Sequence, residues 1–312
     1  MPSRPRIVSL LPSATEIVCA LGAQAQLVGV SHECDFPAGV AELPRLTSAR
    51  IDSTGTSRAI DAAVRGVIGS ALSIYTVDDA RLAALAPDII VTQDLCEVCA
   101  VSLDDVRAAV ARLAHRDRVD IISLSPTRLA GVLDDIERVA LGLGISSRGT
   151  SVRKALQMRI WRLAARATTR ATTSVGRPRV ATLEWIDPLM IGGTWMPELV
   201  ELAGGQAVGA TAGAPAPTVS VEELVALRPE VVVIKPCGFT VARTLAERPI
   251  IERSVVEPLA GRARVYATDG NAFFNRPGPR LVESLEILAA CIHPEAFDEL
   301  ARQHADVIVR LA

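Results

Sequence analysis

The hydrophobic and polar positions of this chain repeat a phrase. Residues 80–99 read ARLAALAPDIIVTQDLCEVC, and residues 222–238 read EELVALRPEVVVIKPCG. Each opens with apolar residues at helical spacing, breaks at Pro87 or Pro229, passes an acid (Asp88 or Glu230), runs through β-branched residues and ends in a loop with cysteine. Ile-Ile-Val and Val-Val-Val-Ile lack the polar alternation of a half-exposed strand. Both therefore predict strands buried on two faces, as in a mostly parallel sheet covered by helices. The copies lie 142 positions apart. Residues 7–22, IVSLLPSATEIVCALG, predict strand, loop and helix, and residues 180–204, VATLEWIDPLMIGGTWMPELVELAG, repeat that order with a longer loop. The expected fold class is α/β, with two lobes built on mostly parallel central sheets.

In the first half, strands are expected near 6–11, 27–31, 88–92 and 119–124. Residues 127–144 predict an amphipathic helix with Leu129, Val132, Ile136, Val139 and Leu143 on one face and Gly144 at its stop. A second helical pattern, over about 150–172, carries Val152, Leu156, Ile160, Leu163 and Ala167 and ends in the turn-rich TTSVGRP. It falls between the repeated halves. The expected organisation is a lobe at 1–145, a stiff connecting helix within 146–176 and a lobe at 177–312.

Composition narrows the function classes. The net charge of −2 offers no electrostatic footprint for nucleic acid or an anionic membrane, and no apolar run approaches the length needed for membrane insertion. The opening MPSRPR is followed by IVSLL, shorter than the apolar core of a secretory signal, so the chain as written reads as cytosolic. Six cysteines in such a chain read as thiols or ligands rather than as a disulfide framework. Gly192-Gly193 and Gly204-Gly205 lack Walker and Rossmann spacing, and there is no serine elbow, HExxH or Ca²⁺ loop. No recognised motif signals catalysis.

Four loops that follow expected strands carry the candidate chemistry: Ser31–Pro37, Gln93–Cys99, Lys235–Phe239 and Asp269–Arg280. Ligands of open α/β sheets gather at the carboxyl ends of the strands, so these loops are the expected binding region. Cys96-x-x-Cys99 has three readings: a metal turn completed by His32, Cys34 or Cys237, zinc being one candidate; a redox pair; or two thiols packing a loop. His32 is the only histidine in these loops, whereas His115, His293 and His304 read as surface residues. Cys19 and Cys291 fall in apolar helix patterns and read as core. Phe273, Phe274 and Asn271 are expected to face a large planar ligand and Arg276 to meet an anionic group, with Pro277-Gly278-Pro279 as loop geometry. Aromatics make up only 3% of the chain, so Trp185 and Trp195 in a candidate loop add weight, while Trp161 on the connector reads as packing. A cysteine nucleophile at Cys96 or Cys99 is a further reading, supported only by that motif and nearby acids.

IVSLLPSATEIVCALG, LVGVSHECDFP, LAPDIIV and LRPEVVVI together resemble the substrate-binding proteins of cobalamin and iron-siderophore ABC importers, closest to the cobalamin-binding branch, over essentially the whole chain. The resemblance implies two α/β lobes joined by one helix, a small-molecule ligand held between them without catalysis, no required cofactor, and an ABC permease as partner. It places ligand contacts on Cys34, Asp35 and Phe36, on the loop from Gln93 and Asp94 to Cys99, and on Trp185, Trp195 and Asp269–Phe274; Cys237 and Phe239 join them from the loop pattern. It also assigns permease docking to an acid on each lobe. Glu222 matches in the second half, whereas the first-half equivalent is Ala80, with Asp78 and Asp79 beside it. Members of the family are normally exported. The leading expectation is binding of a cobalamin-like corrinoid or another metal chelate; the alternative is a cytosolic metal- or thiol-handling protein.

Overall fold

The computed structural model describes residues 4–69, 74–94, 103–113, 118–170 and 176–312. It divides into two compact units. Unit 1 is Met1–Gly55, Ala59–Pro126 and Ala130–Ala155, and unit 2 is Thr56–Arg58, Thr127–Leu129 and Leu156–Ala312.

In the first half the elements run β1 (Ile7–Ser9), α1 (Pro12–Ala20), β2 (Leu27–Val30), β3 (Thr47–Ala49), α2 (Ser57–Gly69), β4 (Tyr75–Val77), α3 (Asp79–Leu85), β5 (Ile89–Gln93), α4 (Leu103–Ala111), β6 (Asp120–Leu124) and α5 (Leu129–Gly142). Helix α6, Ser146–Arg170, is continuous and is divided between the units after Ala155. The main sheet of unit 1 has the order β2-β1-β5-β6, all parallel, and β3 and β4 form a separate antiparallel pair. Every residue of β5 is buried, as its unbroken apolar pattern requires. Val8, Leu10, Ile90, Leu82, Val106 and Val110 form the core on one face of this sheet.

The second half continues with β7 (Arg179–Trp185), β8 (Met190–Ile191), α7 (Met196–Leu202), β9 (Gln206–Ala207), α8 (Val221–Ala226), β10 (Val231–Ile234), α9 (Val241–Ala246), α10 (Arg248–Ile251), β11 (Arg264–Thr268), α11 (Leu281–Ile292), α12 (Asp298–Gln303) and β12 (Ile308–Arg310). Its sheet runs β12-β11-β10-β7-β8, with β9 beside β7. Strands β9, β7, β10 and β11 are parallel, in the same arrangement as β2, β1, β5 and β6, while β8 and β12 are antiparallel additions.

The repeated phrase has one physical explanation in both units. Helix α3 is followed by Ala86 in the left-handed region (φ 42°), and α8 by Arg228 in the same region (φ 47°). Neither residue is glycine, so each turn carries strain that the contacts around it must offset. The proline that follows cannot continue a helix. The acid after it then receives the backbone N–H of the arginine at the start of the neighbouring central strand: Arg6 N–H donates to Asp88 Oδ2 at 2.8 Å, and Arg179 N–H to Glu230 Oε2 at 2.8 Å. The side chain of the same arginine donates to the end of the preceding helix, Arg6 Nε to Leu85 O at 2.9 Å and Arg179 Nε to Leu227 O at 3.0 Å. The arginine side chain thus satisfies a helix-end carbonyl, while its backbone N–H, held by the acid, ties the turn after the helix to the neighbouring central strand.

Two expectations about packing are corrected. His304 is buried (7% exposed), with Nε2 3.1 Å from Glu286 Oε2 and its ring against Phe273. The polar pattern of the final helix hid a carboxylate supplied from α11. Trp161 is 58% exposed, because Leu156, Ile160 and Leu163 take the inward face of α6. Cys291 is core as expected, its thiol pushed up to about 12 by burial.

Candidate functional site

The carboxyl ends of β7 and β10 in unit 2 hold a closed ring of contacts. The Trp185 ring lies 5.3 Å from the Phe239 ring, and the Arg243 guanidinium sits 4.3 Å from the Phe239 centroid. Arg243 donates to Glu247 at 3.1 Å. Glu247 in turn receives both the N–H and the hydroxyl of Ser57, at 2.7 and 2.5 Å, and Trp185 Nε1 closes the ring by donating to Ser57 O at 3.2 Å. Phe239 and Glu247 are buried and Trp185 is half-exposed. The indole is therefore oriented by the Phe239 ring and by Ser57 O, while Trp185 keeps accessible surface. Glu247→Ala is expected to lower stability by about 2–3 kcal/mol, because it strips a buried acceptor from two Ser57 donors and from Arg243; urea unfolding measures this.

Next to this ring lies a cluster of which the sequence pattern marks Lys235, as the first residue of a candidate loop, but not Glu184. Lys235 at the end of β10 is wholly buried (0% exposed). Its Nζ donates to Asn275 Oδ1 at 2.8 Å and to Glu184 Oε2 at 3.2 Å, and Gly193 N–H reaches the same Glu184 oxygen at 3.3 Å. Asn275 Nδ2 donates to Lys235 O and Gly270 O, at 3.0 and 2.8 Å. A Cβ at Gly270 would stand 2.0 Å from Pro236 O, so only glycine lets the loops after β10 and β11 approach this closely. Lysine is rarely buried without a partner. One of only two lysines, set in an apolar strand, was the available signal.

The segment Asp269–Arg280 is internally satisfied rather than open. Phe274 is fully buried, with φ 64°; its N–H donates to Ser284 Oγ at 2.8 Å and its carbonyl accepts from Trp195 Nε1 at 2.8 Å. Trp195 and Phe273 are buried as well, with the Arg280 guanidinium 4.5 Å from the Phe273 ring. Arg276 is buried and donates to Asn271 Oδ1 at 3.1 Å, while Asp269 Oδ1 accepts the N–H groups of Asn271 and Ala272. The expectation that Trp195, Phe273, Phe274 and Arg276 face a ligand is corrected: tertiary packing uses their apolar area and donors to hold this loop. Cys237 is exposed and Phe239 is not.

In unit 1, Phe36 is the exposed aromatic of the loop after β2 (43%), next to an exposed Asp35. Cys34 is buried at 0%, so the expectation of a ligand contact there is corrected. Thr15 Oγ1 donates to Ser9 Oγ at 2.8 Å, and Ser9 Oγ donates to Leu11 O at 3.1 Å. The 3.1 Å contact between Thr15 Oγ1 and Cys34 Sγ therefore takes its proton from the thiol. Cys34 as a metal ligand would have to give up that proton. His32 is half-buried: Nδ1 lies 2.7 Å from Thr47 Oγ1, Nε2 lies 3.3 Å from Glu33 Oε1, and the ring tilts against Tyr75. Cys19 is partly buried and its thiol is pushed up to about 12, chiefly by burial and then by the Glu16 charge and Cys34. Gln93 is buried at the end of β5, and Asp94 follows it, exposed. Cys96 and Cys99 lie outside the described residues, as does His115. Among the described residues, no three His, Cys, Asp or Glu side chains gather where they could hold a metal ion.

Glu222 is exposed in the first turn of α8, and its carboxyl is held below its ordinary range by its own backbone N–H and the Ser220 hydroxyl. In unit 1, Asp78 instead caps α3 through Arg81 N–H, and Asp79 is bonded to Arg112 at 2.6 Å.

These two parallel-sheet units give the chain the fold of the periplasmic substrate-binding proteins. By structure it is similar to a periplasmic heme-binding protein from Pseudomonas aeruginosa (TM-score 0.68, 22% identity, 93% of each chain). It is also similar to the periplasmic vitamin B12-binding protein BtuF of Vibrio cholerae (TM-score 0.65, 20% identity, 97% of this chain and 100% of that one). By sequence it is 24% identical over 291 residues to a vitamin B12-binding protein of Vibrio parahaemolyticus, covering 93% of this chain and 90% of that relative. No protein-family model matches the chain. Among the described residues no helix is long and apolar enough to cross a membrane. The cytosolic expectation finds no support in these comparisons, whose solved structures are of periplasmic proteins.

Proposed function

We propose that this protein is a non-enzymatic binding protein for a corrinoid such as cobalamin, or for a similar planar metal chelate, and that it works as the substrate-binding component of an ABC-type uptake system. The carrying observation is the ring Trp185–Phe239–Arg243–Glu247–Ser57, which presents a fixed indole at the carboxyl ends of the central strands. Ligands of such sheets are bound at this end, and a rigid aromatic face suits a large flat ligand. Phe36 and Asp35 supply exposed groups at the corresponding end of unit 1. Similarity to proteins named for vitamin B12 and heme supports the ligand class. The ligand brings its own metal, so no resident cofactor is needed. Glu222 is left exposed for a permease, and a location outside the cytoplasmic membrane accords with the named relatives.

Titration of purified protein with cyanocobalamin and with haemin, followed by absorbance and calorimetry, tests the reading. Saturable one-to-one binding of either is expected, weakened at least about tenfold in Trp185→Ala, the loss of one stacked aromatic anchor. Absence of binding of both at high micromolar concentration sinks it.

A further inference from the structure

We propose that Glu184 is the specificity-determining residue of this site: it presents a fixed, charged hydrogen-bond acceptor that selects a chelate fringed with amide N–H donors over one fringed with carboxylates. This rests on the binding function proposed above and names the ligand class within it.

Glu184 stands at a bulge in β7, where the pairing with β8 shifts between Leu183 and Trp185. A bulge breaks the strict alternation of a strand and re-aims a side chain, commonly beside a binding site. Glu184 is thereby adjacent to the half-exposed Trp185 at the same strand end. Its two oxygens have different fates. Oε2 accepts from the buried ammonium of Lys235 and from Gly193 N–H. Oε1 accepts from no described residue, and with 27% of the side chain exposed it is the oxygen turned outward. The buried Lys235, itself held by Asn275, keeps the carboxylate oriented, so ligand binding need not freeze it.

An outward carboxylate oxygen accepts from N–H donors and repels other carboxylates. Three cations at this strand end pair with carboxylates, Lys235 with Glu184, Arg243 with Glu247 and Arg58 with Asp187 at 2.8 Å, and the buried Arg276 donates to Asn271. The peripheral amides of a corrinoid match such a surface, and the propionates of haem do not.

The chemistry of the pair predicts an inversion. In Glu184→Gln, Lys235 and Gly193 still demand an acceptor, so the amide oxygen takes the inner position and the NH₂ faces outward. The exposed acceptor becomes a donor without a change of shape. The experiment titrates wild type, Glu184→Gln and Glu184→Ala with cyanocobalamin, with haemin and with cobyrinic acid heptamethyl ester, a corrin without amide donors, and checks folding by circular dichroism and melting. Wild type is expected to bind cyanocobalamin about tenfold or more tighter than either other probe, the scale of one charge-assisted hydrogen bond. Glu184→Gln is expected to lose about tenfold for cyanocobalamin and gain for haemin. If Glu184→Gln folds poorly, the wild-type preference for cyanocobalamin over the ester still decides. Equal affinity of wild type for the ester and cyanocobalamin, or tighter haemin binding, overturns the assignment while leaving the binding function intact. So do variants that leave every affinity within twofold of wild type. Wild type that binds none of the three probes overturns both.

Discussion

Lys235→Met is expected to destabilise unit 2 by about 2–4 kcal/mol, which lowers its unfolding midpoint by roughly 5–10 °C. Methionine fits the apolar strand but leaves Asn275 Oδ1 without its donor and Glu184 Oε2 with only Gly193 N–H. The cost falls short of that for a fully buried ion pair because Glu184 remains a quarter exposed and can recruit water. Thermal and urea unfolding of Lys235→Met, Glu184→Gln and the double variant measure it. Removing both charges is expected to cost less than the two single losses added together, since the second change no longer strands a charge. Strict additivity would mean that the pair is not coupled.

A second large effect is expected at Asp135, in the buried face of α5. One oxygen accepts from Arg138 at 2.7 Å, and the other has no partner among the described residues. Burial pushes this carboxyl up to about 6, with Asp134 adding to the rise and Arg138 opposing it. The folded state therefore holds a proton that the unfolded chain releases near its ordinary value of 3.8. A raised carboxyl favours the folded protein fully below the unfolded value, and that advantage is lost as pH rises through about 6. The shift of about two units corresponds to at most about 3 kcal/mol, and about 1–2 kcal/mol is expected because Arg138 is half exposed. Between pH 4 and pH 7 wild type should lose this contribution, whereas Asp135→Asn should not. Melting curves of both proteins across that range provide the check; parallel pH profiles would contradict it.

The parts of the fold visible in the sequence are those dictated by local pattern. Ile89–Val91 and Val231–Ile234 are buried central strands because nothing polar interrupts them, and Leu129–Gly142 follows the helical spacing of its apolar positions. The repeat was legible down to its acids, since Asp88 and Glu230 perform the same backbone capping. The candidate site was only partly legible. Loop positions identify strand ends but not side-chain direction, so Phe273, Phe274, Trp195 and Cys34 were read as ligand contacts when they pack inward. In sequence Lys235 stands out only as a rare lysine at the head of a candidate loop and Glu184 not at all, and their pairing is visible only in the structure.

Strand burial and helix faces follow from the spacing of apolar residues within short stretches, and the repeat from the likeness of two such stretches 142 positions apart, so the order of amino acids alone settled them. The ring from Trp185 to Ser57, the hydrogen bond from Cys34 to Thr15 and the ion pair of the buried Lys235 depend on contacts between residues as much as 190 positions apart. Only the tertiary structure decided these, because a hydrogen-bond donor or an aromatic face takes its role from whichever partner the packed sheet brings within about 3 to 5 Å.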